Sequence, residues 1–349
     1  MKIGLVGLPG SGKTTCFRVL TGHAVPDTHH GARVATVPLP DPRLDRIAEL
    51  CKPRKRTYAD VTFVDFDALH RGQAQEGELG LQKVAGGVDA FALILQCFGT
   101  LDARGEPLDP VSDLETVLLE MALSDLRIIE KHLEALEKGP KAERTAQRME
   151  LMHRCRDHLS AGKALRTLNL HDEELKVLRG FAPLTLMPLL VVCNTAEDGS
   201  RDAQAAAVAD AAKGQGLPEI SLCAELEEEI AQLPEEEQAS FLANYGLEKP
   251  ARQRFLQACF ELLDLIVFFT VNESEARAWT VRRGATAPEA AGRVHSDLQR
   301  GFIRAEVTPF TWLDKIGTLQ ACKEKGYQRI EGKDYVVQDG DILQIRFSR

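Results

Sequence analysis

The sequence predicts an α/β protein: a doubly wound, mainly parallel sheet carries an inserted antiparallel helical hairpin and is followed by a small C-terminal α+β domain. Apolar runs at residues 3–6, 61–65, 89–95 and 188–194 are typical of buried parallel strands. Helical periodicity fills the interval between the last two runs. From residue 265 onwards, strand patterns joined by polar turns replace it.

The length of 349 residues exceeds what one hydrophobic core normally serves, so two or three domains are expected. We assign residues 1–110 and 183–264 to the sheet domain, 111–182 to the inserted helical arm, and 265–349 to the C-terminal domain.

The first strand, residues 3–6, leads into GLPGSGKT at residues 7–14, which fits the phosphate-binding-loop pattern G-x-x-x-x-G-K-[ST]. Residues 14–20 then form a helix, so that loop N–H groups and the helix dipole converge on phosphate. Lys13 would neutralise the β- and γ-phosphates, and Thr14 would hold Mg²⁺. The predicted nucleotide-binding residues here are Gly7, Pro9, Gly10, Ser11, Gly12, Lys13, Thr14 and Thr15.

The strand at residues 61–65 ends in Asp65. A carboxylate at the end of the neighbouring strand of a P-loop fold faces the Mg²⁺ held by the loop hydroxyl. We therefore predict Thr14 and Asp65 as metal ligands, and Lys13 and Asp65 as the catalytic residues. The alternative is a solvated Asp that closes a strand.

The strand at residues 188–194 ends in Asn194, and Glu197 follows. Ligands of doubly wound sheets bind at the carboxyl ends of strands, so both residues are predicted to reach a nucleotide base. A carboxylate accepting from N1–H and N2–H₂ favours guanine, whereas adenine offers it one exocyclic amine. The sequence leaves that choice open, and Asn194 could equally be an ordinary turn residue.

The inserted arm begins with an apparent capping box, Ser112 to Glu115, and its apolar residues recur every three or four positions. Gly139-Pro140 breaks this helix, and a second one runs from residue 141 to about 161, which allows an antiparallel hairpin. Residues 112–139 carry a net charge of −4 and residues 140–166 carry +4. Opposite charges could flank a coiled-coil seam, or the basic arm could face RNA.

The C-terminal domain is predicted to contain strands at 265–271, 276–281 and 342–347, with a helix beginning near Ala287. It carries 13 Lys or Arg and 11 Asp or Glu. Because it lacks an evident catalytic cluster, binding is a better expectation for it than chemistry.

Composition favours a cytoplasmic protein. No apolar run approaches about 18 residues, so no membrane contact is expected. The eight cysteines are scattered without a C-x-x-C pair, which suits reduced thiols. The net charge of −9 argues against coating of nucleic acid, and no DNA sequence readout is expected.

Over essentially its whole length the chain resembles the YchF-type, Obg-like ATPase family of translation-factor-class P-loop NTPases. The matching segments are residues 7–15, PDPRLD at 40–45, NTAEDG at 194–199, the helical arm, and four C-terminal segments at 277–280, 286–288, 301–307 and 331–335. The last four resemble its TGS domain, which is ubiquitin-like. The resemblance implies ATP preference with GTP often accepted, and association with the ribosome or RNA through the arm and the TGS-like domain.

Two family motifs are altered. The D-x-x-G motif appears as DFDA at residues 65–68, so Ala68 replaces a glycine and cannot easily take a positive φ. Leu69 follows where many GTPases place a water-orienting Gln. The usual switch I pattern T-I-E-P-N is also missing, and Thr28 is the candidate left in that region for a contact with the γ-phosphate or Mg²⁺. Two hypotheses follow: a slow Mg²⁺-dependent ATPase or ATP/GTPase, and a nucleotide-binding regulatory protein with negligible hydrolysis.

Overall fold

A computed structural model describes residues 1–22, 27–29, 32–66, 69, 86–138, 145–199 and 202–348. The chain forms two compact units. The P-loop unit comprises Lys2–Ala35 and Thr62–Cys259, and the C-terminal unit comprises Met1, Thr36–Val61 and Phe260–Arg349. The predicted division into three domains remains a prediction.

The described residues form two sheets. The first has seven strands in the order β2-β3-β5-β1-β6-β7-β8, and the second has six in the order β12-β11-β13-β9-β10-β4. Strands β1 to β13 are Lys2–Val6, Asp27–His29, Ala32–Leu39, Lys55–Thr57, Ala59–Asp65, Ala90–Cys97, Leu189–Thr195, Glu219–Leu222, Leu265–Val271, Glu275–Arg282, Phe302–Pro309, Arg329–Glu331 and Asp341–Phe347. Helices α1 to α13 are Lys13–Thr21, Pro42–Cys51, Pro110–Lys138, Ala146–Ser160, Asp172–Arg179, Asp202–Gly214, Ala224–Gln232, Glu235–Asn244, Ala251–Leu262, Ala287–Val294, Ser296–Arg300, Phe310–Ile316 and Leu319–Glu324. Two 3-10 turns lie at Leu165–Thr167 and Leu184–Leu186.

Strand β1 lies between two parallel neighbours, β5 and β6, and β7 and β8 continue the parallel order. The register places Leu5 beside Asp65 on one side and beside Ala92 on the other. Strand β2 pairs antiparallel with β3. The central strands are buried along their length because helices cover both faces, which accounts for their uninterrupted apolar sequences.

Helices α3 and α4 form the inserted hairpin. They share a core with the segment that leads back to the sheet: Ala122, Ile129, Leu133, Leu136, Leu151, Met152, Cys155, Leu159, Leu165 and Leu178. The predicted break at Gly139-Pro140 lies outside the described residues. The predicted capping box is wrong: α3 begins at Pro110, and the Asp109 carboxylate accepts from the Ser112 N–H at 3.0 Å. Asp109-Pro110 is therefore the start signal, with Pro at the first helical position.

The sheet of the C-terminal unit is covered on both faces. Along β9, Phe268 packs in one core with the alanines of α10, whereas Phe269 packs in a second core with residues of α2 and α12. This alternation is the period-two pattern of a strand buried on both sides. Helix α10 begins at Ala287 as predicted, with a capping box formed by Thr286 and Glu289.

Candidate nucleotide-binding site

The loop between β1 and α1 packs closely against strand β6 and the side chain of Asn194. Gly12 caps α1 with a φ of 79°, in the left-handed region. A β-carbon on Gly12 would lie 2.2 Å from the Nδ2 atom of Asn194, and one on Gly7 would lie 2.6 Å from the carbonyl oxygen of Ile94. Glycine is required at both positions, because the strand β6 backbone and the Asn194 amide occupy the space that a side chain would need.

Lys13 and Asp65 form a buried ion pair. The Lys13 ammonium donates to one carboxylate oxygen of Asp65 and to the carbonyl oxygen of Phe66. The Asp65 side chain is 1% exposed and that of Lys13 is 10% exposed. Their proximity follows from the β1–β5 register, which brings the end of β5 beside the start of the loop.

Arg33, on strand β3, completes the cluster, although it belongs to none of the sequence motifs. Its Nη2 atom donates to the hydroxyl oxygen of Thr14 at 2.8 Å and to the second carboxylate oxygen of Asp65. Its guanidinium carbon lies 5.9 Å from the centre of the Phe17 ring. The Arg33 side chain is 42% exposed, so it is accessible from solvent while it contacts a buried carboxylate.

These groups line one cleft of about 290 Å³. Its walls are Leu8, Pro9, Gly10, Ser11, Gly12, Lys13, Thr14, Arg33, Asp65 and Phe66. Most of the predicted nucleotide-binding residues of the loop therefore line this cleft. Thr15 is half-buried in the first turn of α1. Gly7 lies at the start of the loop, where its backbone comes close to the carbonyl oxygen of Ile94.

Asn194 is buried at the end of β7, and both ends of its amide are engaged. Its Nδ2 atom donates to the Ser11 carbonyl oxygen at 3.1 Å, and its Oδ1 atom accepts from the Ala224 N–H at 3.0 Å. Glu197 is exposed, and its Oε1 atom accepts from the Tyr245 hydroxyl at 2.7 Å. This hydrogen bond is the main reason that the pKa of Tyr245 is raised.

The altered switch residues are described only in part. Ala68 lies outside the described residues. Leu69 is buried, and its N–H donates to the carbonyl oxygen of Gly7 at 2.9 Å. Thr28 pairs with Arg33 in the β2–β3 register. At the position where many GTPases place a water-orienting Gln, Leu69 thus has an apolar side chain that packs in the protein core.

Among the described residues, no helix combines the length and apolar character needed to cross a membrane.

Comparisons with known proteins identify relatives over the full length of the chain. The family model YchF-GTPase_C, described as "Protein of unknown function (DUF933)", matches residues 265–348. The "Ribosome-binding ATPase YchF" of Haemophilus influenzae is 36% identical, with 99% of each chain covered. The protein of the same name from Bacillus subtilis is 33% identical, with 99% of this chain and 98% of the relative covered.

A solved structure, the YchF GTPase of Schizosaccharomyces pombe, superimposes with a TM-score of 0.81 at 24% identity and covers 99% of this chain and 97% of its own. The predicted fold class is thereby confirmed. Identity above 30% over nearly the entire length decides the family. The chain belongs to the YchF family of P-loop proteins.

Proposed function

We propose that this protein binds ATP with Mg²⁺, accepts GTP as a second nucleotide, hydrolyses the bound nucleotide slowly, and acts as a ribosome-associated switch in the cytoplasm. The observation that carries the proposal is the cleft in which the glycine-rich loop, Lys13, Thr14 and Asp65 converge. The family supports it, since two of its members are named ribosome-binding ATPases.

The loop residues would bind the phosphates. The backbone N–H groups around Gly12 and the positive end of the α1 dipole attract an anion. Lys13 lies in the same cleft, where its ammonium can transfer from Asp65 to the β- and γ-phosphates. Charge developing on the phosphoryl oxygens is then stabilised by groups already in position.

Thr14 and Asp65 fit the requirements of a magnesium site. One nitrogen of Arg33 contacts the Thr14 hydroxyl and the Asp65 carboxylate at once, so both oxygen groups reach a single cation. Mg²⁺ prefers such oxygen ligands together with substrate phosphates. When bound, it would neutralise charge on the β- and γ-phosphates.

Slow turnover is the expectation because Leu69 supplies no polar group to orient the attacking water. The same observation favours the second candidate function, a nucleotide-binding regulatory protein with negligible hydrolysis. The two candidates share every binding residue and differ only in whether phosphate is released.

The proposal for the choice between ATP and GTP rests on Glu197. Asn194 holds the loop through Ser11, and Glu197 has one carboxylate oxygen engaged by Tyr245. A carboxylate with one oxygen occupied is better suited to a single donor, such as the exocyclic amine of adenine, than to the paired donors of guanine. This supports ATP as the preferred nucleotide.

Ribosome or RNA association would use the hairpin and the TGS-like C-terminal domain. The second arm of the hairpin is basic, and part of that charge is neutralised locally, as in the pairing of Arg154 with Glu174 at 2.6 Å. The C-terminal domain carries 13 Lys or Arg against 11 Asp or Glu. Co-sedimentation with ribosomes in ATP and in ADP tests this part of the proposal, which requires different bound fractions in the two nucleotides.

Single-turnover phosphate release tests the hydrolysis. Purified protein is saturated with ATP and Mg²⁺, and release is compared for the natural chain, Asp65→Asn and the control Asp157→Asn, which alters an exposed carboxylate on α4. Release that is lost only in Asp65→Asn supports the ATPase. Tight binding without release by the natural chain selects the second candidate.

A further inference from the structure

We propose that Arg33 is a phosphate-binding residue that takes the position of the divalent cation, so that the protein binds nucleotide in the absence of Mg²⁺. This inference rests on the proposed function, because it concerns the same cleft. It adds Arg33 to the residues that bind the phosphates, and it adds nucleotide binding that needs no metal ion.

The position of the guanidinium is the first observation. Arg33 bridges Thr14 and Asp65, the two residues assigned to the metal. A positive group at this point removes the repulsion that an ionised Asp65 would otherwise exert on a polyphosphate.

The remaining donors of Arg33 are the second observation. Among the described residues, its hydrogen bonds are made by Nη2, which leaves Nε and Nη1 for an anion. The side chain is 42% exposed and lies in the wall of the cleft. Arginine presents a planar fork of donors that matches phosphate oxygens, and such charge-assisted bonds are the strong class of hydrogen bond.

The charge of the cleft is the third observation. Its described lining contains two cations, Lys13 and Arg33, and one carboxylate, Asp65. If Arg33 remains on Asp65, Lys13 is free to pair with the phosphates. Removing Arg33 leaves Lys13 to serve both the buried carboxylate and the ligand, unless a metal ion supplies the missing charge.

The test measures ATP affinity by calorimetry in EDTA and in saturating Mg²⁺. The variants are Arg33→Ala, Arg33→Lys and the control Arg18→Ala, which removes an arginine of α1 paired with Glu228 outside the cleft. Thermal unfolding establishes that each variant is folded. We expect the natural chain and the control to bind in both solutions.

For Arg33→Ala the expected loss of affinity in EDTA is at least tenfold greater than its loss in Mg²⁺, which corresponds to about 1.4 kcal/mol. Arg33→Lys should recover part of the affinity in EDTA, because it keeps the charge without the fork. Equal losses in both solutions would overturn the inference, as would tighter binding by Arg33→Ala in EDTA, which would identify Arg33 as a block on the site.

A natural chain that binds ATP in Mg²⁺ and not in EDTA also overturns the inference, while leaving the proposed function intact. A natural chain that binds in neither solution overturns both.

Discussion

The side-chain amide of Asn194 holds the phosphate-binding loop through the carbonyl oxygen of Ser11, at 3.1 Å. Its oxygen simultaneously accepts from the Ala224 N–H at the start of α7. Asn194, on β7, therefore links the β1–α1 loop to the start of α7, the helix that follows β8. A residue expected to contact the base therefore also holds the glycine-rich loop.

Asn194→Ala should weaken ATP and GTP binding by a similar factor, about tenfold or more, because a loop anchor acts on phosphates common to both. Asn194→Asp should share the loss, since a carboxylate cannot donate to Ser11. Equilibrium titration with both nucleotides checks this, with Asn272→Ala, a turn asparagine of the C-terminal unit, as control. Loss of binding for one nucleotide alone would show that Asn194 reads the base instead.

Gly12→Ala should abolish nucleotide binding. Its β-carbon would meet the Asn194 amide nitrogen at 2.2 Å, in addition to the cost of a left-handed conformation. Gly162→Ala is a matched control, because Gly162 has a φ of 73° with open space around it. Urea unfolding should show about 1 kcal/mol lost for the control and a larger loss for Gly12→Ala. Equal losses, with binding retained, would contradict the assigned contact.

Tyr245→Phe should shift the nucleotide preference towards GTP. Without the tyrosine hydroxyl, both oxygens of Glu197 become available to the paired donors of guanine. The ratio of the GTP and ATP dissociation constants should fall by about threefold, which is a modest change because the hydrogen bond is exposed. Competition titration measures the ratio, with Tyr327→Phe as control. An unchanged ratio would remove Tyr245 from the account of base choice.

Asp125→Ala should destabilise the P-loop unit by about 3 kcal/mol. The buried carboxylate accepts from the N–H groups of Leu184 and Thr185 at 2.8 and 2.7 Å and from the Thr185 hydroxyl at 2.6 Å. Removing it leaves three buried donors without their acceptor. Asp125→Asn should lose less, and the exposed Asp157→Ala should be close to neutral in denaturant unfolding. A neutral Asp125→Ala would contradict this anchoring role.

Glu306→Gln should make stability less sensitive to acid. The Arg346 guanidinium, 2.9 Å from the Glu306 carboxylate, is the main cause that lowers the pKa of Glu306 below its ordinary value of 4.5. A lowered pKa gives stability that is present above the ordinary value and is lost as the pH falls through the folded-state value. The unfolding midpoints of the natural chain and the variant should therefore differ at pH 6 and approach each other as the pH falls below the ordinary value of 4.5. A difference that grows on acidification would have the wrong sign.

The sequence was sufficient to predict the apolar strands around β1 and hence the neighbourhood of Lys13 and Asp65. The parallel arrangement follows from the uninterrupted apolar runs, whereas the strand order and the register are given by the folded sheet. The strand containing Arg33 was not predicted, because Pro38 and Pro40 weaken its strand signal. Its contact with Thr14 depends on β3 lying next to β5, which only the folded sheet establishes.

The start of α3 was predictable in principle. An Asp followed by Pro at residues 109–110 is as good a helix start as the Ser–Glu pair at 112 and 115, and the local sequence does not rank them. Strand β4, with three residues, pairs with β10 from a distant part of the chain, and such a short edge strand has no periodicity to detect.

The most direct test of the central claim is calorimetric titration of ATP in Mg²⁺ into the natural chain, Lys13→Ala and the control Lys138→Ala, whose lysine is exposed at the end of α3. The Lys13 ammonium donates to Asp65 in this structure and is assigned to the β- and γ-phosphates when nucleotide binds. We expect saturable binding by the natural chain and the control, and loss of binding in Lys13→Ala. Unchanged binding by folded Lys13→Ala would contradict the assignment of the site.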